Sequence, residues 1–522
     1  MSSPAPDVAA PTGAAAAGDD SPIMHGSALT IAAFALALSN FMVVLDTTIA
    51  NVSVEHIAGG LAISSSQGTW IITSYSVAEA VCVPLTGFLA QRFGAVRTFV
   101  WGMVGFAVFS MLCGMSTSLP MLVACRLGQG FCGGPLMPLT QTLLLRIFPK
   151  EKHGAAMGMW AMTTVTAPII GPILGGVLSD DFSWHWIFFI NLPVAAVCAG
   201  ITMRYLRGAE TPTAPARIDR VGLGLLVLWV AALQIMLDLG HDRDWFNSTL
   251  IVTLAVIAAI GFAVFCAWEY TEAFPAVDLK VFRHRGFTIS VATISFAFGT
   301  FFTSAVIIPQ WLQSSQGYTA TWAGYVTAFT GVSAVVMSPI VAKLVTKIDP
   351  RAIVFLGVTW LGVCTLMRAH WASNGDFWTF ALPQLMQGIG LPMFFVPVTT
   401  IGLGAVLPEE TASAAGLMSF LRTLAGAIAT SISTTAWENA GRLSRAELVS
   451  QMHAEPTRQA LQDSGFSLEQ VRGVVEQQIS VQSMAVATDH VFLVSGLIFF
   501  ASALIIWAAP RPRGPVDTSA AH

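Results

Sequence analysis

Residues 27–51 read SALTIAAFALALSNFMVVLDTTIAN, 25 positions among which Asp46 alone carries a charge. A helix rises about 1.5 Å per residue, so this run can cross the roughly 30 Å of bilayer hydrocarbon. The rest of the chain has the same character. Of 522 residues, 54% are hydrophobic and only 10% charged, against about a quarter charged in soluble domains. So little charge cannot coat the several soluble domains that this length would otherwise imply. The balance of 25 basic and 29 acidic residues also excludes a nucleic-acid binder held by a basic surface. The chain reads as an all-α membrane protein.

The same ruler finds about fourteen candidate helices. They lie near 27–51, 67–90, 97–116, 119–146, 153–178, 184–206, 218–239, 247–270, 286–312, 320–346, 351–370, 376–406, 410–437 and 485–508. Lys and Arg in the loops set the orientation. With the N-terminus inside, 17 of the 25 basic residues fall in cytoplasmic loops and tails, whereas the short outer loops hold only Arg243 and Arg368. Both termini are therefore expected in the cytoplasm. Residues 1–26 are rich in Ala, Pro, Gly, Ser and Asp with no apolar period, which predicts a disordered cytoplasmic tail. They lack the basic n-region of a signal peptide. Residues 509–522 form a second tail. The seven cysteines lie in apolar stretches without metal-ligand spacing, so buried thiols are expected.

One connection is long. Residues 438–484 carry two capping-box patterns, Ser444 to Glu447 and Ser467 to Gln470, each opening a mixed polar and apolar stretch. They predict a soluble, partly helical hairpin outside the membrane. An internal echo also runs through the chain. The segment Pro84 to Arg92 recurs in outline from Pro339 to Lys347, Gly102 and Gly357 keep the same offset, and Gln129-Gly130 matches Gln387-Gly388. The echo joins a six-helix half at 27–206 to another at 286–508, leaving two inserted linker helices within 207–285. Like-oriented halves meeting at a central site are the plan of many secondary transporters.

Charges inside spans are costly and functional by default. Asp46 and Arg126 fall at similar depths, about 8 and 10 Å from the outer ends of their predicted helices. Arg126 is thus expected to tune the protonation of Asp46; the plainer alternative is that Asp46 caps a helix end through Thr47 and Thr48. Glu79 and Arg422 each fall some 16–18 Å deep, a second pair of charges inside spans. Trp70, Tyr75, Met137, Trp160, Phe298, Phe302, Gln310 and Phe395 are candidate linings of an adaptable apolar cavity. No P-loop, metal motif or repeated polar filter appears, and the ten histidines are scattered, which speaks against ATP-driven transport, an enzyme or a channel.

Four motifs carry a family resemblance: Leu45 to Val52 with Asp46 inside it, Gly87 to Gly94, Arg126 to Gly134, and Ala167 to Gly176. In this order they resemble the major facilitator superfamily, in its fourteen-helix drug:proton antiporter branch. Trp186 to Pro193, Leu233 to Asp238, Gly317 to Gly324 and Arg422 to Gly426 narrow it to EmrB-type multidrug exporters. The resemblance implies a proton-coupled antiporter of hydrophobic toxic compounds in the bacterial inner membrane, needing no cofactor beyond the proton gradient. It gives Pro168, Gly171, Pro172, Gly175 and Gly176 the role of the antiporter motif, and Gly87, Arg92 and Gly94 that of the cytoplasmic loop motif; its architecture also implies that Glu79 and Arg422 face each other across the halves as a pair or gate, the alternative being a static pair or no contact. It also implies a tripartite system with a periplasmic adaptor of the EmrA type and an outer-membrane channel, for which 438–484 is a docking surface. Gln91 departs from the pattern, because many members carry an acid there; a charge latch at this loop must be weaker or built differently. An uncoupled facilitator or importer of the same fold is the rival reading.

Overall fold

The computed structural model describes residues 24, 26–149, 152–213, 219–240, 243–273, 275–369, 371, 375–451 and 467–511. Most of both predicted tails lies outside them. All regular structure among the described residues is helical. In chain order the helices are α1 (Gly26–Gly60), α2 (Ser65–Cys82), α3 (Thr86–Phe93), α4 (Ala95–Gly114), α5 (Leu119–Gly133), α6 (Leu136–Ile147), α7 (His153–Val177), α8 (Trp186–Phe189) and α9 (Asn191–Tyr205). Then follow α10 (Arg220–Leu239), α11 (Thr249–Thr271), α12 (Arg285–Ser315), α13 (Ala320–Leu344), α14 (Pro350–Arg368), α15 (Phe377–Gly404), α16 (Thr411–Gln451) and α17 (Leu468–Ile505).

Among the described residues twelve rods are long and apolar enough to cross a membrane. The α5–α6 pair and α7 bring these to the fourteen that the sequence predicts. Three rods are broken where proline or glycine interrupts the ladder, since proline has no N–H to donate. Pro84 sits in the 3₁₀ turn between α2 and α3, Gly134 and Pro135 separate α5 from α6, and Pro193 opens α9. Other helices absorb their prolines unbroken: Pro309 in α12, Pro339 in α13, and Pro383, Pro392 and Pro397 in α15. The lipid face is written in exposed side chains. Val252, Val256, Ile260 and Val264 recur every fourth residue along α11, and Trp101 of α4 is 74% exposed; a stripe this apolar belongs in hydrocarbon.

Within the first six spans α1 packs on α7 and α9, and α5 packs on α2 and α4. Within the last six, α15 packs on α13 and α14, and α12 on α16 and α17. The glycines of the echo make the same contact twice. Gly130 of α5 lies against the Tyr75 carbonyl of α2, as Gly388 of α15 does against the Thr330 carbonyl of α13, and neither leaves room for a Cβ. Contacts of α7 with α13 and α15, and of α16 with α3 and α6, join the sets of six. α13 lies along α7, and the start of α16 covers α3 and the Val83–Leu85 turn, where a Cβ on Gly87 would stand 2.7 Å from the Ser413 backbone. At the opposite end α10 bridges them: it packs on α2, its Leu237 carbonyl accepts from Ser431 Oγ at 2.9 Å, and Trp245 beyond it donates to Thr435 Oγ1 at 2.9 Å.

The helix ends differ from the sequence reading in three places. α1 continues to Gly60 rather than stopping at 51, so Asp46 lies deeper along its helix than the predicted five residues. Arg368, inside the predicted span 351–370 yet counted among the outer-loop charges, is the last residue of α14, fully buried. Ser444 opens nothing, because α16 runs unbroken through it for 41 residues. Ser467 does cap as expected: its Oγ accepts from the Gln470 N–H, and Gln470 Oε1 accepts from the Ser467 N–H at 2.9 Å. The 438–484 hairpin is thus built from direct extensions of the last two spans. At about 1.5 Å per residue each of those rods approaches twice the hydrocarbon thickness. Trp437 donating to Thr488 at 2.8 Å, Gly441 against Met484, and an Arg445–Glu476 ion pair hold the two arms together; residues 452–466 lie outside the described chain.

Candidate functional site

Asp46 is 2% exposed and lies at the centre of a polar knot between α1, α5 and α9. Arg126 Nη1 donates to its Oδ2 at 2.7 Å, while Gln129 Nε2 and Asn191 Nδ2 donate to its Oδ1 at 3.0 and 2.6 Å. A second layer fixes the donors. Gln129 Oε1 accepts from Arg126 at 2.9 Å, Arg126 Nε reaches the Ile71 carbonyl at 3.2 Å, and Asn191 also donates to Ser110, which donates to the Phe188 carbonyl. The Tyr75 ring lies 4.4 Å beneath the guanidinium. Every Asp46 lone pair used here meets a donor, which is what a buried carboxylate requires.

The sequence reading named Asp46 and Arg126, and the fold brings them together. It missed Gln129 and Asn191, although both stood in quoted motifs. Gln129 follows Arg126 by three residues, so the two must share a helix face. Thr47 and Thr48 turn back to carbonyls of their own helix, and Asp46, well inside α1, caps no helix end.

The glycines and prolines expected to form an antiporter motif lie on α7, unbroken through positions 168 and 172. Gly171 and Gly175 face α1 at Thr48 and Ile49, one turn beyond Asp46: a Cβ on Gly171 would collide with the Thr48 side chain, and one on Gly175 would stand 3.2 Å from the Ile49 carbonyl. Gly176 faces open space. Upstream, Asn40 of α1 donates to Thr163 and Thr164 of α7 at 2.8 and 2.9 Å.

Glu79 and Arg422 are not within ion-pair distance. Arg422 instead bridges the two sets of helices through rings: its guanidinium is 5.0 Å from the Trp160 ring centre and 5.2 Å from that of Phe298, and it lies against the Met137 sulfur. Five predicted cavity residues meet there, with Phe298 5.5 Å from Phe302 and 5.8 Å from Phe395, and Trp160 6.5 Å from Phe395. Tyr75 belongs to the Asp46 knot instead. Trp70 and Gln310 are exposed.

In the loop motif Gly94 adopts φ +92°, a left-handed conformation that favours glycine, and a Cβ there would collide with the Glu210 carboxylate. Glu210 accepts from the Val96 and Arg97 N–H groups at 2.9 and 3.1 Å, capping α4 with an acid against its positive end. The carboxylate at this loop thus comes from Glu210, beyond α9, and not from position 91. Arg92 is half-buried beside the Phe93 ring. A matching contact precedes α16, where Glu410 accepts from Arg283 at 2.6 Å and meets His284 at 2.8 Å. Among the described residues no cluster could hold a metal ion.

Comparison with known proteins agrees with this architecture. The family model for the Major Facilitator Superfamily matches residues 36–430. The chain is 44% identical over 497 residues to the multidrug export protein EmrB of Escherichia coli (strain K12), covering 94% of this chain and 97% of that protein. It is 40% identical over 500 residues to the fatty acid resistance protein FarB of Neisseria gonorrhoeae, covering 94% and 98%. Among solved structures the proton:xylose symporter XylE superposes with a TM-score of 0.58 at 13% identity, covering 94% of this chain and 97% of that one, a likeness of fold alone. The chain belongs to the major facilitator superfamily, as a multi-pass transporter of the EmrB multidrug export type.

Proposed function

We propose that the protein exports hydrophobic toxic compounds across the bacterial inner membrane in exchange for protons, with both termini in the cytoplasm. The observation that carries this reading is the Asp46 knot, a buried carboxylate held by Arg126, Gln129 and Asn191 one turn from the α7 glycines. Protonating Asp46 removes its charge and weakens three hydrogen bonds at once. The segment affected is the part of α1 on which α7 rests, and α7 in turn lies along α13. Substrate would occupy the space between the halves near Trp160, Phe298, Phe302, Phe395 and Arg422, whose rings now fill it, and exchange of access would part them.

The relatives named for multidrug export and fatty acid resistance support a lipophilic cargo. The paired arms of α16 and α17 are the surface for a periplasmic adaptor of the EmrA type, leading to an outer-membrane channel. The test uses proteoliposomes with an acidic lumen, in which an antiporter drives a lipophilic dye inward. Wild type should accumulate dye, and Asp46→Asn should not. If Asp46→Asn transported at full rate with unchanged pH dependence, an uncoupled facilitator would replace this reading.

A further inference from the structure

The repeated halves carry corresponding buried polar centres that differ in charge. The echo that pairs Gln129 with Gln387 also places Gln384 where Arg126 stands, three residues earlier in each helix. The guanidinium of the second centre comes instead from Arg368, the last residue of α14. Its Nη2 donates to Gln387 Oε1 at 2.5 Å, to Gln384 Oε1 at 2.9 Å and to the Pro383 carbonyl at 3.3 Å. Arg368 is 0% exposed, and both glutamines are buried. Thr330 of α13 completes the group, donating to Gln384 at 3.2 Å.

What this centre lacks is an acid. The helices that supply its polar groups, α13 to α15, contain no Asp or Glu, and Asp489 of α17, which packs on α14, forms no ion pair with Arg368. The Nε and Nη1 of Arg368 and the Nε2 atoms of Gln384 and Gln387 have no hydrogen-bond partner. Unanswered donors on a buried cation are expensive, and buried charges are normally paired. The first centre shows the answer to the same problem: there Asp46 accepts from one guanidinium and two amides.

We infer that Arg368, Gln384 and Gln387 form a binding site for a monovalent anion, a halide or a small carboxylate, which takes the place that Asp46 fills in the first half. Gln384 lies seven residues into α15, about 10 Å from that helix's start, so the site is about two turns from the surface. Trp371, whose ring centre is 5.9 Å from the guanidinium, and Trp311 stacked on it at 5.5 Å wall the site with apolar surface. Such walls strengthen a charge-assisted contact. The inference is independent of cargo and of the direction of transport, so either can fail without the other.

The test is thermal unfolding of the purified full chain in sodium chloride and sodium acetate, for wild type and Gln387→Glu. The variant places a carboxylate on an atom already bonded to Arg368. Wild type should show a saturable rise of roughly 1–3 °C, and the anion acting at the lower concentration identifies the occupant. Gln387→Glu should melt higher without added anion and show no saturable rise. A wild type that does not respond, or equal responses in the two proteins, overturns the site. Should Gln387→Glu fail to fold, Arg368→Gln replaces it, with a lost response supporting the site and a retained one refuting it.

Discussion

Replacing Asp46 by Asn keeps the shape of the side chain and removes its charge, which isolates what the carboxylate does. Gln129 and Asn191 both donate to Oδ1, and Arg126 donates to Oδ2. An asparagine has one oxygen. Whichever way its amide turns, an NH₂ group faces a donor, and Arg126, 1% exposed, is left without its counter-charge. Breaking a buried pair in this way costs about 3–5 kcal/mol. For a chain this long 1 kcal/mol corresponds to about 1 °C, so Asp46→Asn should melt roughly 3–5 °C below wild type. Adding Arg126→Gln removes the stranded cation. The double variant should recover about half of that loss, well short of the sum of the two single losses. Transport should not recover, since the double variant has no group left to carry the proton. Melting curves and dye uptake under an imposed pH gradient read the two effects separately. If Asp46→Asn melted with wild type and the double variant were merely additive, the knot would hold no ion pair of consequence, and this account of α1 would be wrong.

Three further outcomes follow from contacts elsewhere. Gly171→Ala drives a methyl into the Thr48 side chain beside the Ile49 backbone; overpacking of about 1–3 kcal/mol should push α7 from α1 and cut dye uptake more than it lowers the melting point. Glu210→Gln keeps an oxygen for one α4 N–H but loses the charge at the helix start, about 1 kcal/mol, visible as a melting shift that shrinks in high salt. Shortening both arms of the α16–α17 hairpin beyond Trp437 and Thr488 should leave dye uptake in vesicles intact while whole-cell resistance falls; loss of uptake itself would show that the arms do more than dock.

The spans were legible because a bilayer demands about 20 apolar residues in a row, and that demand is written in composition. Their ends were less so. α1, α16 and α17 continue as helix past the apolar stretch, since nothing in residues 52–60 or 438–451 breaks a helix once hydropathy falls. Asp46 and Arg126 announced themselves as charges in lipid. Gln129 and Asn191 are neutral and sit among glycines, leucine and proline, so only the three-residue step from Arg126 hinted at one of them. Glu79 and Arg422 show the limit of depth as a guide. Position along a helix sets height in the membrane but not rotation between separate helices, and Arg422 meets Trp160, Phe298 and Met137 instead. Arg368 was counted as a loop residue because it follows the last apolar run; its burial depends on Gln384 and Gln387, which no local signal connects to it.

The contacts of α7 give the proposed proton coupling a physical route from α1 to the other set of helices. One face of α7 is fixed to α1, by Asn40 on Thr163 and Thr164 and by Gly171 and Gly175 on Thr48 and Ile49. Asp46 lies between those two attachments. Another face meets α13 near both ends: a Cβ on Gly154 would stand 3.0 Å from the Ala342 carbonyl, and one on Gly324 would stand 3.1 Å from Ile173. Close-packed contacts of this kind transmit displacement because there is no void to absorb it. In the proposed exchange a shift of α1 on losing the Asp46 charge would pass along α7 to α13 and α15, both of which pack on it, and α15 carries Phe395 into the ring cluster around Arg422. Bulky side chains at positions 171 and 175 would open a gap on one face of this rod while leaving the other seated, so on the proposed mechanism these glycines serve coupling as well as packing.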